Sequence, residues 1–201
     1  MFAPDLFPSD DNPRPDLLCD ATFLDKMEHA QLMAWCDEHV AWRDMTVVYA
    51  GKEIPIPRRL AWYGEVPYAY SGLRHPAAPM PAPLRQLADR IEAWLARQGC
   101  VAGFNSVLMN HYRGGNDSIG MHSDDETQLG SKPVIASVSL GAVRTFVFRH
   151  KATGLKLSEP LAPGSLLVMR GRTQELWTHG IPKEPERSGA RINLTFRHTN
   201  H

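Results

Sequence analysis

The chain has 201 residues, 43% of them apolar and 22% charged, and its 22 basic and 22 acidic side chains cancel to zero formal charge. That length can bury a sizeable core in one domain, and the composition excludes collagen-like, low-complexity and strongly disordered chains. No apolar run approaches the roughly 20 residues that span a bilayer, so no membrane association is expected.

The neutral sum hides an asymmetry. Residues 1–44 carry 10 acids against 3 bases, whereas residues 45–201 carry 12 acids against 19 bases. A basic body behind an acidic lead segment permits phosphate contact without requiring it. The opening stretch MFAPDLFPSDDNPRPD lacks the basic and apolar parts of a secretory leader. Cys19, Cys36 and Cys100 offer neither a CxxC pair nor a disulfide framework. Reduced thiols, a cytoplasmic setting and a monomer are expected.

Residues 1–20, with four prolines and little periodicity, read as an extended arm. The spacing of Phe23, Leu24, Met27, Leu32 and Trp35 predicts a helix, with Thr22 as its N-cap. A hairpin is expected around Ala50-Gly51-Lys52. A second helix is predicted in APLRQLADRIEAWLARQG, where Leu84, Leu87, Ile91, Trp94 and Leu95 form a stripe and Gly99 stands just past the end. From residue 104 onward come FNSVLMNHY, VIASVSLG, RTFVFRH, LKLSEP, SLLVMRG and ARINLTFRH, each bounded by Gly, Pro or charged residues. The expected fold class is mainly β with flanking helices, α+β, with the strands forming a sandwich or barrel and the helices on one face.

The last strand alternates. Arg191, Asn193, Thr195 and Arg197 share one face, and Ile192, Leu194 and Phe196 share the other. With the apolar face on the core, a closed sheet would turn two guanidiniums into a cavity. Buried cations need anions there, and Arg binds carboxylates with paired hydrogen bonds. A solvent-facing strand side is the competing reading. Asn110 and Tyr112, two apart in FNSVLMNHY, could complete a small-anion pocket.

In SIGMHSDDE, His122 and Asp124 flank a single residue, so on extended chain both point the same way and can chelate one cation. His179, in LWTHGIP, can supply a third ligand. Two histidines and one carboxylate form the facial triad that suits non-haem Fe(II), with zinc the competitor. A triad of that kind beside an anion pocket matches the needs of an oxygenase that consumes a 2-oxo diacid.

NHY, HSDDE, WTHGIP and RINLTFR together resemble the AlkB family of Fe(II)- and 2-oxoglutarate-dependent dioxygenases, and within it the DNA-repair branch. The likeness extends through PRRLAWYG, YAYSG, VIASVSLGAVRTFVFRHK and GSLLVMRG, over roughly residues 45–198. It implies a double-stranded β-helix (jelly-roll) core over 104–201, helices and nucleotide-recognition hairpins over 21–103, and a single catalytic domain over 21–201. It assigns His122, Asp124 and His179 to iron. It assigns Asn110, Tyr112, Arg191, Asn193, Thr195 and Arg197 to 2-oxoglutarate, and Arg58, Tyr70, Ser71 and Glu126 to the damaged base, with Arg197 also counted in the catalytic set. The implied reaction uses Fe(II), O2 and 2-oxoglutarate to dealkylate bases such as 1-methyladenine and 3-methylcytosine, releasing formaldehyde, succinate and CO2. The implied partner is DNA, single-stranded or lightly held duplex, with RNA also open, since the target base must be unpaired or flipped. Tyr49 is a candidate intercalating wedge, and Asp125 reads as a surface charge. Alternatives are an RNA demethylase or a protein hydroxylase of the same superfamily and, more remotely, a zinc-dependent hydrolase on a cupin-like barrel.

Overall fold

The computed structural model describes residues 13–49, 51–70 and 73–200, with the side chains of residues 49, 68–70 and 73–74 outside that description. The expectations for Ser71, and for the side chains of Tyr49 and Tyr70, therefore lie outside the described residues.

Strand β1 (Leu17–Asp20) comes first, followed by α1 (Lys26–His39), β2 (Arg43–Tyr49) and β3 (Lys52–Gly64). A short hairpin, β4 (Tyr68–Tyr70) and β5 (Leu73–His75), leads to α2 (Ala82–Arg97). The remaining chain supplies β6 (Ser106–Tyr112), β7 (Ile119–His122), β8 (Ile135–Gly141), β9 (Arg144–His150), β10 (Lys156–Leu161) and β11 (Leu166–Met169). A single helical turn, α3 (Thr173–Leu176), then precedes β12 (Trp177–Ile181) and β13 (Arg191–Arg197). Seven strands form one sheet in the order β1-β11-β8-β13-β6-β3-β2, and four form a second, β10-β9-β12-β7. Pairing within both sheets is antiparallel. The protein is thus mostly β among the described residues, with two large antiparallel sheets, the small β4–β5 hairpin and few helices, as a jelly roll requires.

Two cores follow from the period-2 alternation of the central strands. One face of the large sheet presents Val107 and Met109 of β6, Ala136, Val138 and Leu140 of β8, and Ile192, Leu194 and Phe196 of β13. These pack with Leu84, Leu87, Ala88, Ile91 and Leu95, the buried stripe of α2. Between the sheets lies a second cluster in which Ile135, Leu167 and Met169 meet Phe146, Phe148, Trp177 and Ile181. The same strands are therefore apolar toward the helices and mixed toward the barrel interior.

The predicted helices form, with one boundary moved. Gly99 has φ +69°, as a residue just past a helix end needs. The first helix starts later than expected: Asp25, not Thr22, is the N-cap, accepting from the Met27 and Glu28 amides at 2.8 Å while Glu28 accepts from the Asp25 amide at 2.9 Å. This reciprocal box satisfies amide groups that Thr22 cannot reach, because its own amide and hydroxyl donate to Asp20. Phe23 and Leu24 consequently enter the core from the turn before the helix, and Met27 stays 68% exposed. Strands β2 and β3 pair as the expected hairpin requires, with Tyr49 opposite Lys52, and Ala50 lies outside the described residues. The final four residues of the expected arm lie as β1 against β11.

Candidate metal and anion site

Strand pairing assembles the metal cluster. In β12 and β7, His179 stands directly opposite His122, and their rings lie 4.4 Å apart between centroids. Asp124 follows β7 by two residues, and its oxygens lie 3.7 Å from His122 Nε2 and 3.9 Å from His179 Nε2. One donor atom from each of the three residues falls within 4.8 Å of the others.

Local hydrogen bonds orient these donors. His122 Nδ1 donates to the Gly120 carbonyl at 2.9 Å, which leaves Nε2 unprotonated toward the cluster. The Asp124 amide donates to Gln174 Oε1 at 2.9 Å, and Ser123 Oγ donates to the Trp177 carbonyl at 2.9 Å. These two bonds tie the His122–Asp124 turn to α3 and the start of β12. Arg197 Nη2 donates to Asp124 Oδ2 at 3.0 Å. Asp124 Oδ1 and His179 Nδ1 are buried with no hydrogen bond among the described residues.

Charge states suit a cation. Burial raises the Asp124 carboxyl, but the opposing charges of Arg197, His179 and His122 and the Arg197 hydrogen bond outweigh it, holding the pKa down to about 2. Burial, with His122 adding, pushes the His179 imidazole down to about 3 against the pull of Asp124. His122 is likewise lowered, chiefly by burial. Near neutral pH the cluster presents two neutral imidazoles and one carboxylate, the set a divalent transition metal takes.

Beside it stands the polar face of β13. Arg191, Asn193, Thr195 and Arg197 are all buried and line one cavity with Asn110, Tyr112, His122, Asp124 and His179. Arg191 Nη2 donates to Ser139 Oγ at 3.0 Å and to Asn193 Oδ1 at 2.6 Å. Asn193 Nδ2 passes the network to Thr195 Oγ1 at 2.6 Å, and Ser137 Oγ also donates to Asn193 Oδ1 at 2.8 Å. Among the described residues, Arg191 Nε and Nη1 have no hydrogen-bond acceptor. Burial lowers the Arg191 pKa to about 10, with Tyr112 opposing and the neighbouring Arg144 charge adding to the shift. A buried guanidinium with two unused donors in a cavity is what a carboxylate ligand would satisfy.

Ser137, Ser139 and Gln174 were not anticipated from sequence. The two serines were legible there, because VIASVSLG alternates and puts both on the face opposite Ala136, Val138 and Leu140. Gln174 carries no local signal, since its role depends on α3 packing beside residue 124. Of the residues matched to the base, Arg58 is 5% exposed, within the sheet, and Glu126 immediately precedes a 3-10 turn at Thr127–Leu129. Asp125 is a surface charge, 69% exposed, 4.0 Å from Lys151 Nζ.

Residues 16–197 match the family described as the 2OG-Fe(II) oxygenase superfamily. The chain belongs to that superfamily. Among curated relatives, the alpha-ketoglutarate-dependent dioxygenase alkB homolog 3 of Mus musculus is 40% identical over 185 residues, covering 87% of this chain and 63% of the relative. The DNA oxidative demethylase ALKBH2 of Homo sapiens is 40% identical over 157 residues, covering 73% of this chain and 58% of the relative. This oxygenase chain thus spans less than two thirds of the length of these curated relatives. The solved structure of OsALKBH1 superposes with a TM-score of 0.68 at 18% identity, covering 92% of this chain and 99% of that one, a likeness of fold. The superfamily uses Fe(II), 2-oxoglutarate and O2, and the site fits them: His122, Asp124 and His179 offer the donor set, and Arg191 a buried guanidinium whose Nε and Nη1 find no acceptor among the described residues.

Proposed function

We propose that this chain is an Fe(II)- and 2-oxoglutarate-dependent dioxygenase that removes N-linked alkyl groups from bases such as 1-methyladenine and 3-methylcytosine in DNA. The observation that carries the reading is the convergence, in one cavity, of the His122–Asp124–His179 cluster and the buried Arg191 face. The name of one relative at 40% identity, the DNA oxidative demethylase ALKBH2, supports DNA as the substrate. Free thiols agree with an intracellular setting, and we infer that the chain acts as a monomer on single-stranded or lightly held duplex DNA.

Bound iron, with 2-oxoglutarate and O2, would supply the oxidising power that hydroxylates the alkyl carbon, while 2-oxoglutarate leaves as succinate and CO2. The protein supplies placement. His122 and His179 present neutral nitrogens, and Asp124 brings the negative charge that Arg197 holds in position. Arg191, steadied by Ser139 and Asn193, would grip a carboxylate with the two donors that have no acceptor among the described residues. Asn110 and Tyr112 close the same wall. Leu108, Ile119, Phe146, Met169 and Ile181 line the cavity with apolar surface and limit water around the reacting carbon. Tyr70, Ser71 and Glu126 are proposed around the base.

The test supplies Fe(II), 2-oxoglutarate and air to the protein with methylated single-stranded DNA, duplex DNA or RNA oligonucleotides. Formaldehyde and restored base are expected on DNA, and His122→Ala should abolish both. Turnover of 2-oxoglutarate without base restoration on any strand would retain the oxygenase and reject the substrate.

A further inference from the structure

Arg58 is a buried cation with no carboxylate in ion-pair range among the described residues. Ile56, Arg58, Leu60 and Trp62 alternate on the buried face of β3. Leu60 pairs with Asn110 on β6, which in turn pairs with Asn193 on β13. Arg58 sits two residues from Leu60 on the same face, so it meets Asn110 along the diagonal of the sheet. Its Nε donates to Asn110 Oδ1 at 2.6 Å, and its Nη1 donates to the Ser118 carbonyl at 3.3 Å. The Ser118 amide returns a bond to the Pro57 carbonyl at 3.0 Å, so the arginine also ties β3 to the segment leading into β7 and His122.

An asparagine amide has two dissimilar ends, and neighbouring groups decide which way it faces. A guanidinium can only donate, so the oxygen of Asn110 must turn toward Arg58. The nitrogen is thereby turned away from Arg58, and it makes no hydrogen bond to a described residue. Asn110 lines the cavity with Arg191 and Arg197. We propose that Arg58 is a positioning residue for 2-oxoglutarate: it locks the Asn110 amide with its N–H donors facing the carboxylate site, and it does not itself touch the damaged base. This rests on the oxygenase reading above and gives Arg58 a different task from the base contact expected from sequence. The charge sign agrees, because N-methylated adenine and cytosine are cationic when alkylated on these ring nitrogens, and a guanidinium would repel them.

The test measures binding of N-oxalylglycine, a non-reacting 2-oxoglutarate analogue, to the Mn(II)-loaded protein by calorimetry, and binding of a methylated oligonucleotide by fluorescence anisotropy. Arg58→Met should weaken the analogue on the order of tenfold, as expected for loss of a charge-assisted orienting bond, and leave oligonucleotide binding unchanged. Arg58→Lys, which keeps a donor, should bind the analogue within about threefold of wild type. In an Asn110→Ala background both Arg58 substitutions should lose their effect on the analogue. If Arg58→Met does not fold, Arg58→Lys with and without Asn110→Ala decides the coupling. Unchanged analogue binding with weakened oligonucleotide binding would overturn the proposal, as would an Arg58 effect that persists without Asn110. Failure of the wild-type protein to bind the analogue with Mn(II) would instead remove the oxygenase reading itself.

Discussion

Replacing Glu184 with Gln tests whether the loop after β12 is held by charge. Glu184 accepts from Arg144 Nε at 2.9 Å, the Thr145 amide at 3.0 Å, Thr145 Oγ1 at 2.8 Å and Arg187 Nε at 2.8 Å. Arg144 is 1% exposed and spends its other donors on the carbonyls of Gly114, Asp117 and Pro182. One ion pair therefore joins β9 to the loops that flank β7 and β12, the strands carrying both histidines. Burial pushes the Glu184 carboxyl upward, but the Thr145 bonds, then Arg187 and Arg144, hold it at about 2 against an ordinary 4.5. At about 1.4 kcal/mol per pH unit that gap is worth about 3 kcal/mol. Screening at the half-exposed Arg187 reduces the expectation to about 2 kcal/mol. Because the folded pKa is depressed, this stability is complete above 4.5 and fades as pH falls toward 2. Urea unfolding of wild type and Glu184→Gln should differ by about 2 kcal/mol at pH 7 and by less than half of that near pH 3. A difference that stays constant across this range, or grows in acid, would refute the charge argument.

Arg191→Lys keeps the positive charge but loses the two-pronged donor geometry. The KM for 2-oxoglutarate should rise on the order of 10- to 100-fold with kcat little changed, and an unaltered KM in steady-state assays would remove Arg191 from the carboxylate site. Leu194→Ala opens a void in the fully buried cluster between β13 and α2 and should cost about 2–5 kcal/mol in urea unfolding. Met27→Ala, at a side chain 68% exposed, should change stability by about 0.5 kcal/mol or less.

The polar face of β13 was legible because a strand has period 2: once Ile192, Leu194 and Phe196 are committed to the core, Arg191, Asn193, Thr195 and Arg197 have only one other face. The buried stripe of α2 was legible for the same kind of reason, at period 3.6. The start of α1 was not, since Thr22, Asp25 and Glu28 all have capping chemistry and only the realised box decides among them. Met27 shows the matching failure on the apolar side: its spacing fits the stripe, but the turn at Phe23 and Leu24 delivers those two residues to the core first. The strands carrying the histidines, β7 and β12, escaped the strand reading because each is short and a glycine and a histidine interrupt its apolar pattern.

Taken alone, the order of residues determined the donor types, the His-x-Asp spacing and the strand faces, since these follow from backbone geometry over a few positions. Only the tertiary structure decided that His179 stands across from His122, that Arg197 reaches Asp124, and that Arg58 meets Asn110. Each of those contacts joins segments far apart in the chain. Strand register and the packing of one sheet on the other set such distances, and no local pattern encodes them.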